Sequence, residues 1–183
     1  MKNALDSAFF SQNLRRSGAN PENTNPITGF VFLRRRRTGG SARVPQQSFG
    51  MEVIMKIHHI GYLVKKLEKA AAEFKKLGYV PQGEATNDTF RKVDILFLEK
   101  DGYVVELVSP NAPDSVVSGL IKTYKNAPYH LCYVCENLDE EITKLTGEGY
   151  VQIDLPTPAP AIGGKRVCFL MNRFVGLIEL LEQ

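Results

Sequence analysis

Cysteine is scarce in this 183-residue chain: there are three, an odd number and too few to staple a fold of this length. A disulfide scaffold is excluded on that count, and a reducing, cytoplasmic compartment is the expectation that remains. Long apolar runs are missing as well. None approaches the roughly 20 residues that a helical membrane span needs, so no membrane is expected among the partners. A strong excess of charge of one sign is also absent. The net charge is +3, and it is unevenly spread: residues 1–54 hold eight Lys and Arg against three acids, while the remainder holds 15 basic and 17 acidic side chains. The basicity belongs to the front segment, and the body offers no electrostatic ground for nucleic acid. Histidine is as scarce as cysteine, with only His58, His59 and His130. What is present, 43% hydrophobic residues, is the composition of a globular chain, and the length allows one domain plus a tail.

The tail is residues 1–54, which read as a basic, low-complexity, disordered extension ahead of a domain over 55–183. SGANPENTNPITG (17–29) has almost nothing to bury, and RRRR (34–37) runs into further turn-forming sequence. The apolar patch FVFL (30–33) is too short to span a bilayer and follows the polar tract, so it is no secretory signal. Met51 and Met55 both precede the first well-patterned strand. Two other readings of the segment are an Arg/Ser-rich organelle transit peptide and a basic arm for nucleic acid or acidic lipid.

The body contains one unit twice. HIGYLVKKLEKAAAEFKKLGYV (59–80) aligns with HLCYVCENLDEEITKLTGEGYV (130–151) at a constant offset of 71. ILFLEKDGYVVELV (95–108) answers VCFLMNRFVGLIELL (167–181) with about one residue inserted, so that Glu106 meets Glu179. Each unit, 56–108 and 128–183, predicts a strand, a helix and three further strands. Leu67, Ala70, Ala71, Phe74 and Leu77, and then Leu138, Ile142 and Leu145, fall on one helix face by their spacing of three and four. Gly78 and Gly149 stand where a helix end needs a left-handed residue, and Asp101-Gly102 suits a two-residue hairpin turn. One βαβββ copy cannot bury enough surface alone, so the fold class is α+β: two tandem modules forming one cupped mixed sheet with helices outside. Residues 109–128 connect them and include a short helix.

His59 and His130 occupy equivalent places in the first strand of each module, and Glu106 and Glu179 in the last, within the apolar runs VVELV and LIELL. An isolated carboxylate in a buried strand is costly unless paired or coordinated. A lone strand histidine is more often a satisfied core residue. Four polar groups paired by the repeat resolve their cost together by converging on one divalent ion, for which Zn, Ni, Co, Mn and Fe(II) all suit the donors. His58, next to His59, is expected to face away by strand alternation and is left out of the site. Cys132 and Cys135 are expected to be structural, with thiols on opposite faces. Gly163-Gly164-Lys165-Arg166 reads as a plain hairpin turn in preference to a phosphate or CoA contact.

HIG at the start of a strand, EL at the end of each module and the duplicated unit resemble the vicinal oxygen chelate superfamily, over about residues 56–183. PAPAIGGKRVCFL…GLIELLE and HHIGYLV are most similar to its methylmalonyl-CoA epimerases. The resemblance implies the glyoxalase/bleomycin-resistance fold, a divalent metal held by His59, Glu106, His130 and Glu179, a small-molecule substrate such as an acyl-CoA, and a homodimer. It implies an isomerase that abstracts a proton alpha to a carbonyl with Glu179 as base. The runner-up activity is a glyoxalase-I-type lyase, whose ligand pattern this set also fits. The rival from another class is a non-catalytic binding or resistance protein. Epimerases of the family usually carry Gln where Glu106 stands, and a second base, Glu, where an ungapped match puts Phe90. Asp88 and Asp94 are the nearest acids. Asp94 shares strand parity with position 90 and is the expected second base.

Overall fold

In the computed structural model, residues 55–183 are described. The expected extension over residues 1–54 lies outside the described residues. The first module runs β1 (Lys56–Leu63), α1 (Leu67–Lys76), β2 (Val80–Pro81), β3 (Thr86–Asp88), β4 (Val93–Lys100) and β5 (Tyr103–Pro110). The connector contains α2 (Ser118–Tyr124). The second module runs β6 (Ala127–Cys135), α3 (Leu138–Gly147), β7 (Val151–Gln152), β8 (Thr157–Ala159), β9 (Lys165–Asn172) and β10 (Gly176–Glu182), with a 3₁₀ turn at Pro160–Ile162. In each module the second strand is broken in two, and both pieces pair with the strand that follows: β2 and β3 with β4, β7 and β8 with β9. The units are therefore βαβββ with an interrupted second strand.

All ten strands form one sheet, ordered β2-β4-β5-β1-β6-β10-β9-β7 along its main path. The modules meet edge to edge through the antiparallel β1–β6 ladder, and each central strand pairs in parallel with the last strand of its own module, β1 with β5 and β6 with β10. Local signals set the corners. Gly78 (φ 91°) and Gly149 (φ 94°) end α1 and α3. The residue after each glycine returns its amide to the helix, Tyr79 N to Phe74 O at 3.2 Å and Tyr150 N to Leu145 O at 3.0 Å. Asp101 (φ 54°) and Gly102 (φ 82°) make the tight turn between β4 and β5, with both residues in the positive-φ region.

The two outer helices are unequal. Asn137 caps α3 by accepting the Glu140 amide at 3.2 Å, and Leu138, Ile142 and Leu145 are buried against Cys135, Cys168, Leu170, Ile178 and Leu180. Burying a Leu or Ile contributes about 1.5–3 kcal/mol each. Helix α1 has no side-chain cap, and its apolar face is only partly covered by Val64, Leu98, Val105 and Leu107. On the concave side, Val117 and Ile121 of the α2 region pack with Leu63, Val93, Ile95 and Val108, so the connector fills one end of the cup.

The β1–β6 ladder carries two irregularities. Ile57 pairs with Tyr133 and His59 with Cys132, leaving His58 as an extra residue; Gly61 pairs with His130 and Tyr62 with Pro128, leaving Tyr129 as another. These are β-bulges, and they fall at equivalent places, one residue before each strand histidine.

Candidate metal centre

The central strands and their parallel neighbours bring His59 (β1), Glu106 (β5), His130 (β6) and Glu179 (β10) to the floor of the cup. All four are buried. The two Nε2 atoms are 3.1 Å apart. Glu106 Oε2 lies 3.4 Å from His59 Nε2 and 3.7 Å from His130 Nε2; Glu179 Oε2 lies 3.2 Å and 3.4 Å from the same atoms. Donors bonded to one cation at about 2.0–2.2 Å stand roughly 3 Å apart when adjacent and about 4 Å when opposite, a range that holds His59, Glu106 and His130 as a close trio, with Glu179 within 3.4 Å of both imidazoles. Among the described residues, the buried Glu179 Oε2 atom has no hydrogen-bond partner, though it stands within charge-pairing distance of both imidazoles. An orphaned buried carboxylate oxygen aimed at converging nitrogens is what a cation site leaves. The chemistry of the donor set agrees with the fit.

Charge balance in the site follows from the same contacts. Burial alone would lower the His59 pKa, but the carboxylates of Glu106 and Glu179 beside its Nε2 outweigh it and lift His59 to about 9. Burial would raise Glu179, but His130 and His59 outweigh it and hold this carboxyl well below the usual range. Without a cation, the cluster keeps a proton on His59 to balance its glutamates.

His58 does not face away. The bulge turns it to the same side as His59, and the two Nδ1 atoms are 2.8 Å apart. One ring donates and the other accepts. A proton on His59 Nδ1 leaves its Nε2 facing the cluster, so His58 is placed to orient the imidazole from behind. Strand alternation missed this because a bulge adds a residue without advancing the pairing. His130 is held otherwise: its Nδ1 has no hydrogen-bond partner among the described residues, and its ring lies against the backbone of Gly61, where an added Cβ would come within 2.0 Å of Cε1. Tyr129 and Phe169 flank it edge-on at centroid distances of 4.4 and 5.2 Å.

Glu106 and Glu179 open onto a cavity of about 340 Å³ whose walls are mostly apolar, including Val93, Ile95, Val108, Leu120, Ile162 and Leu177. Asp94 is not brought to it. Its β4 neighbours Val93 and Ile95 line the cavity, so Asp94 points to the other face, where Asn87 and Asn111 donate to it at 2.7 and 3.0 Å. Parity with position 90 fails because residues 89–92 form a turn, with Lys92 at φ 57°. Phe90 sits at the cavity mouth, 73% exposed. Asp88 lines the cavity with both oxygens engaged: Oδ1 accepts the Arg91 amide at 2.9 Å and Oδ2 the Arg91 guanidinium at 2.7 Å. Arg91, which sequence reading passed over, also donates to Pro158 O at 3.0 Å and Thr157 Oγ1 at 2.6 Å, joining the outer edges of the two modules.

Cys132 lies on the cup side with Val167 and Leu181, and Cys135 on the helix side; burial raises both thiols, Cys135 to about 11. The turn at Gly163-Gly164 has both residues at positive φ, and Arg166 is taken up by Glu182 at 2.6 Å and Asp139 at 3.1 Å.

The chain is similar to known proteins across this region. An ethylmalonyl-CoA/methylmalonyl-CoA epimerase of Cereibacter sphaeroides is 26% identical over 133 residues, covering 72% of this chain and 99% of the relative. The mitochondrial methylmalonyl-CoA epimerase of Homo sapiens is 27% identical over 128 residues, covering 68% of this chain and 72% of that one. The crystal structure of methylmalonyl-CoA epimerase from Mycobacterium tuberculosis shares the fold at a TM-score of 0.61 and 20% identity, covering 69% of this chain and 86% of that chain. Residues 58–169, more than half of the sequence, match a family profile, and the chain belongs to the Glyoxalase/Bleomycin resistance protein/Dioxygenase superfamily.

Proposed function

We propose that this protein is a divalent-metal-dependent isomerase that exchanges the hydrogen alpha to a carbonyl, an epimerase of a 2-methyl-branched acyl-CoA. The observation that carries the reading is the convergence of four donor atoms, one from each of four strands, beneath a cavity with apolar walls. His59, Glu106, His130 and Glu179 would hold the ion; cobalt, nickel, manganese, zinc and iron(II) suit these donors. When bound, such an ion supplies Lewis-acid stabilisation of negative charge on a carbonyl oxygen. The chain's own residues do the rest. Glu179, kept ionised by the two imidazoles, borders the cavity and serves as the base. The apolar walls exclude water from the reacting carbon and accept a short branched acyl group, since about 340 Å³ is at the small end of ligand sites and leaves a CoA carrier outside. The relatives named as epimerases support this substrate class. The three free, buried thiols suit a cytoplasmic setting.

The test is deuterium incorporation at the α-carbon of (2R)- and (2S)-methylmalonyl-CoA in D₂O with metal supplied. Exchange well above background is expected, falling about 10²–10⁴-fold in Glu179→Gln. No exchange with any of the five metals removes the reading, and ligand affinity indifferent to Glu179→Gln would favour a binding module. A second reading rests on Glu106. Two carboxylates and two imidazoles are the set that the resemblance associates with glyoxalase I, so isomerisation of a 2-oxoaldehyde–glutathione adduct is the comparison assay.

A further inference from the structure

Epimerisation inverts a carbon centre. The proton that leaves one face must be replaced on the other, and a single carboxylate fixed at the cavity floor serves only one of them. Among the described residues, four carboxylates line the cavity: Asp88, Glu106, Asp154 and Glu179. Glu106 and Glu179 belong to the donor cluster, and Asp88 is committed through both oxygens to Arg91. Asp154 remains.

Asp154 lies in the segment between β7 and β8 and is half-buried. Its Oδ1 accepts the Phe169 amide at 2.7 Å, and Phe169 is the cross-strand partner of Glu179. The carboxyl is therefore anchored beside the strand next to the proposed base, on the wall of the same cavity. The group that hydrogen-bonds it, a backbone amide, is neutral, in contrast to the guanidinium on Asp88; the Cys168 thiol donates to the Asp154 main-chain carbonyl at 3.3 Å. Burial lifts its pKa above the ordinary aspartate range, against the Phe169 amide and the Arg91 charge that lower it, while the Glu179 charge adds to the rise. A carboxyl placed this way carries a proton closer to neutrality than an exposed one.

Resting on the epimerase reading, we propose that Asp154 is the acid–base partner of Glu179, exchanging a proton with the opposite face of the substrate α-carbon. In one direction the Glu179 carboxylate takes the α-hydrogen as a proton, and the C–H electron pair passes to the carbonyl as an enolate. Protonated Asp154 then delivers its proton to the other face, forming the new C–H bond and becoming a carboxylate. Glu179 returns its proton to water and Asp154 regains one. The reverse direction exchanges the roles.

The test is Asp154→Asn, which keeps an oxygen for the Phe169 amide. For the enantiomer whose α-hydrogen faces Glu179, deuterium wash-in is expected to stay within a few-fold of wild type, while inversion falls by about 10²-fold or more. Metal content and thermal midpoint are measured alongside. An Asp154→Asn enzyme that inverts as fast as wild type overturns the proposal, as does inversion lost only in Tyr129→Phe, the phenol being the other weak acid on the wall. If Asp154→Asn fails to fold, carboxyl ¹³C titration of the metal-free wild type decides: a pKa at or below the exposed-aspartate range overturns it. A wild type that exchanges no α-hydrogen removes the epimerase reading and this proposal together.

Discussion

In the first module the imidazole of His59 is backed by a second imidazole, His58; in the second module the imidazole of His130 has no hydrogen-bond partner behind it among the described residues and lies in the space that Gly61 leaves. The places correspond. His58 and Tyr129 are the bulged residues of the two copies, and across the ladder His59 faces Cys132 while His130 faces Gly61. Duplication preserved the backbone irregularity that aims each strand at the cluster, and the side chains around it then diverged. One histidine is positioned by a polar contact and the other by shape. The helices diverged similarly: α3 is capped and seats three buried residues, whereas α1 buries none.

The largest effect that would break this comparison is expected from Gly61→Ala. A methyl group there meets the His130 ring at 2.0 Å, so the ring must leave the cluster. Metal retained after dialysis should fall by about 100-fold or more in affinity terms, since a ligand is displaced and not merely loosened. The module-two counterpart, Cys132→Ala, should hold its metal. If both behave alike, positioning by shape is wrong. Next in size is His58→Ala, expected to weaken metal binding about 10–100-fold by calorimetry while Tyr129→Phe changes it by less than about threefold. Equal losses would mean that the Nδ1 contact does not orient His59.

The smallest effect sharpens the comparison through pH. His59 is lifted to about 9 in the metal-free protein, so ligation must displace its proton. At pH 7.5 metal binding should release about one proton, and apparent affinity should climb about tenfold per pH unit until it flattens near 9. The same shift acts on stability. Its contribution is complete below the unfolded value of 6.5 and is lost as pH rises through about 9, so the metal-free protein should melt progressively lower across that window. A flat melting profile there would show that His59 is not held charged by its glutamates.

Much of this architecture is legible in the sequence because it is local or repeated. The constant offset of 71 exposes the two modules, and helical spacing marks α1 and α3. Gly78, Gly149 and Asp101-Gly102 mark corners that demand positive φ. The convergence of His59, Glu106, His130 and Glu179 is readable as an expectation because buried charge needs a partner. The bulges are hidden for a physical reason: an insertion carried by both copies cancels in their alignment, so alternation sends His58 to the wrong face. Asp94 fails similarly, since counting parity from position 90 crosses a turn that resets it. Asp154 gives no repeat signal, because its counterpart at the same offset is Gly83. Arg91 bonds across 66 and 67 residues of sequence, a separation that no local pattern encodes.

That last contact has a consequence for how the protein can change over generations. One guanidinium, held by Asp88 on its own side, reaches Thr157 and Pro158 on the other and so ties the two halves together at this rim. A shorter or less forked replacement would slacken the rim without touching the donors beneath it. The width of the rim and the donors of the floor are thereby inherited through different codons, so a change at position 91 acts on the first and leaves the second in place.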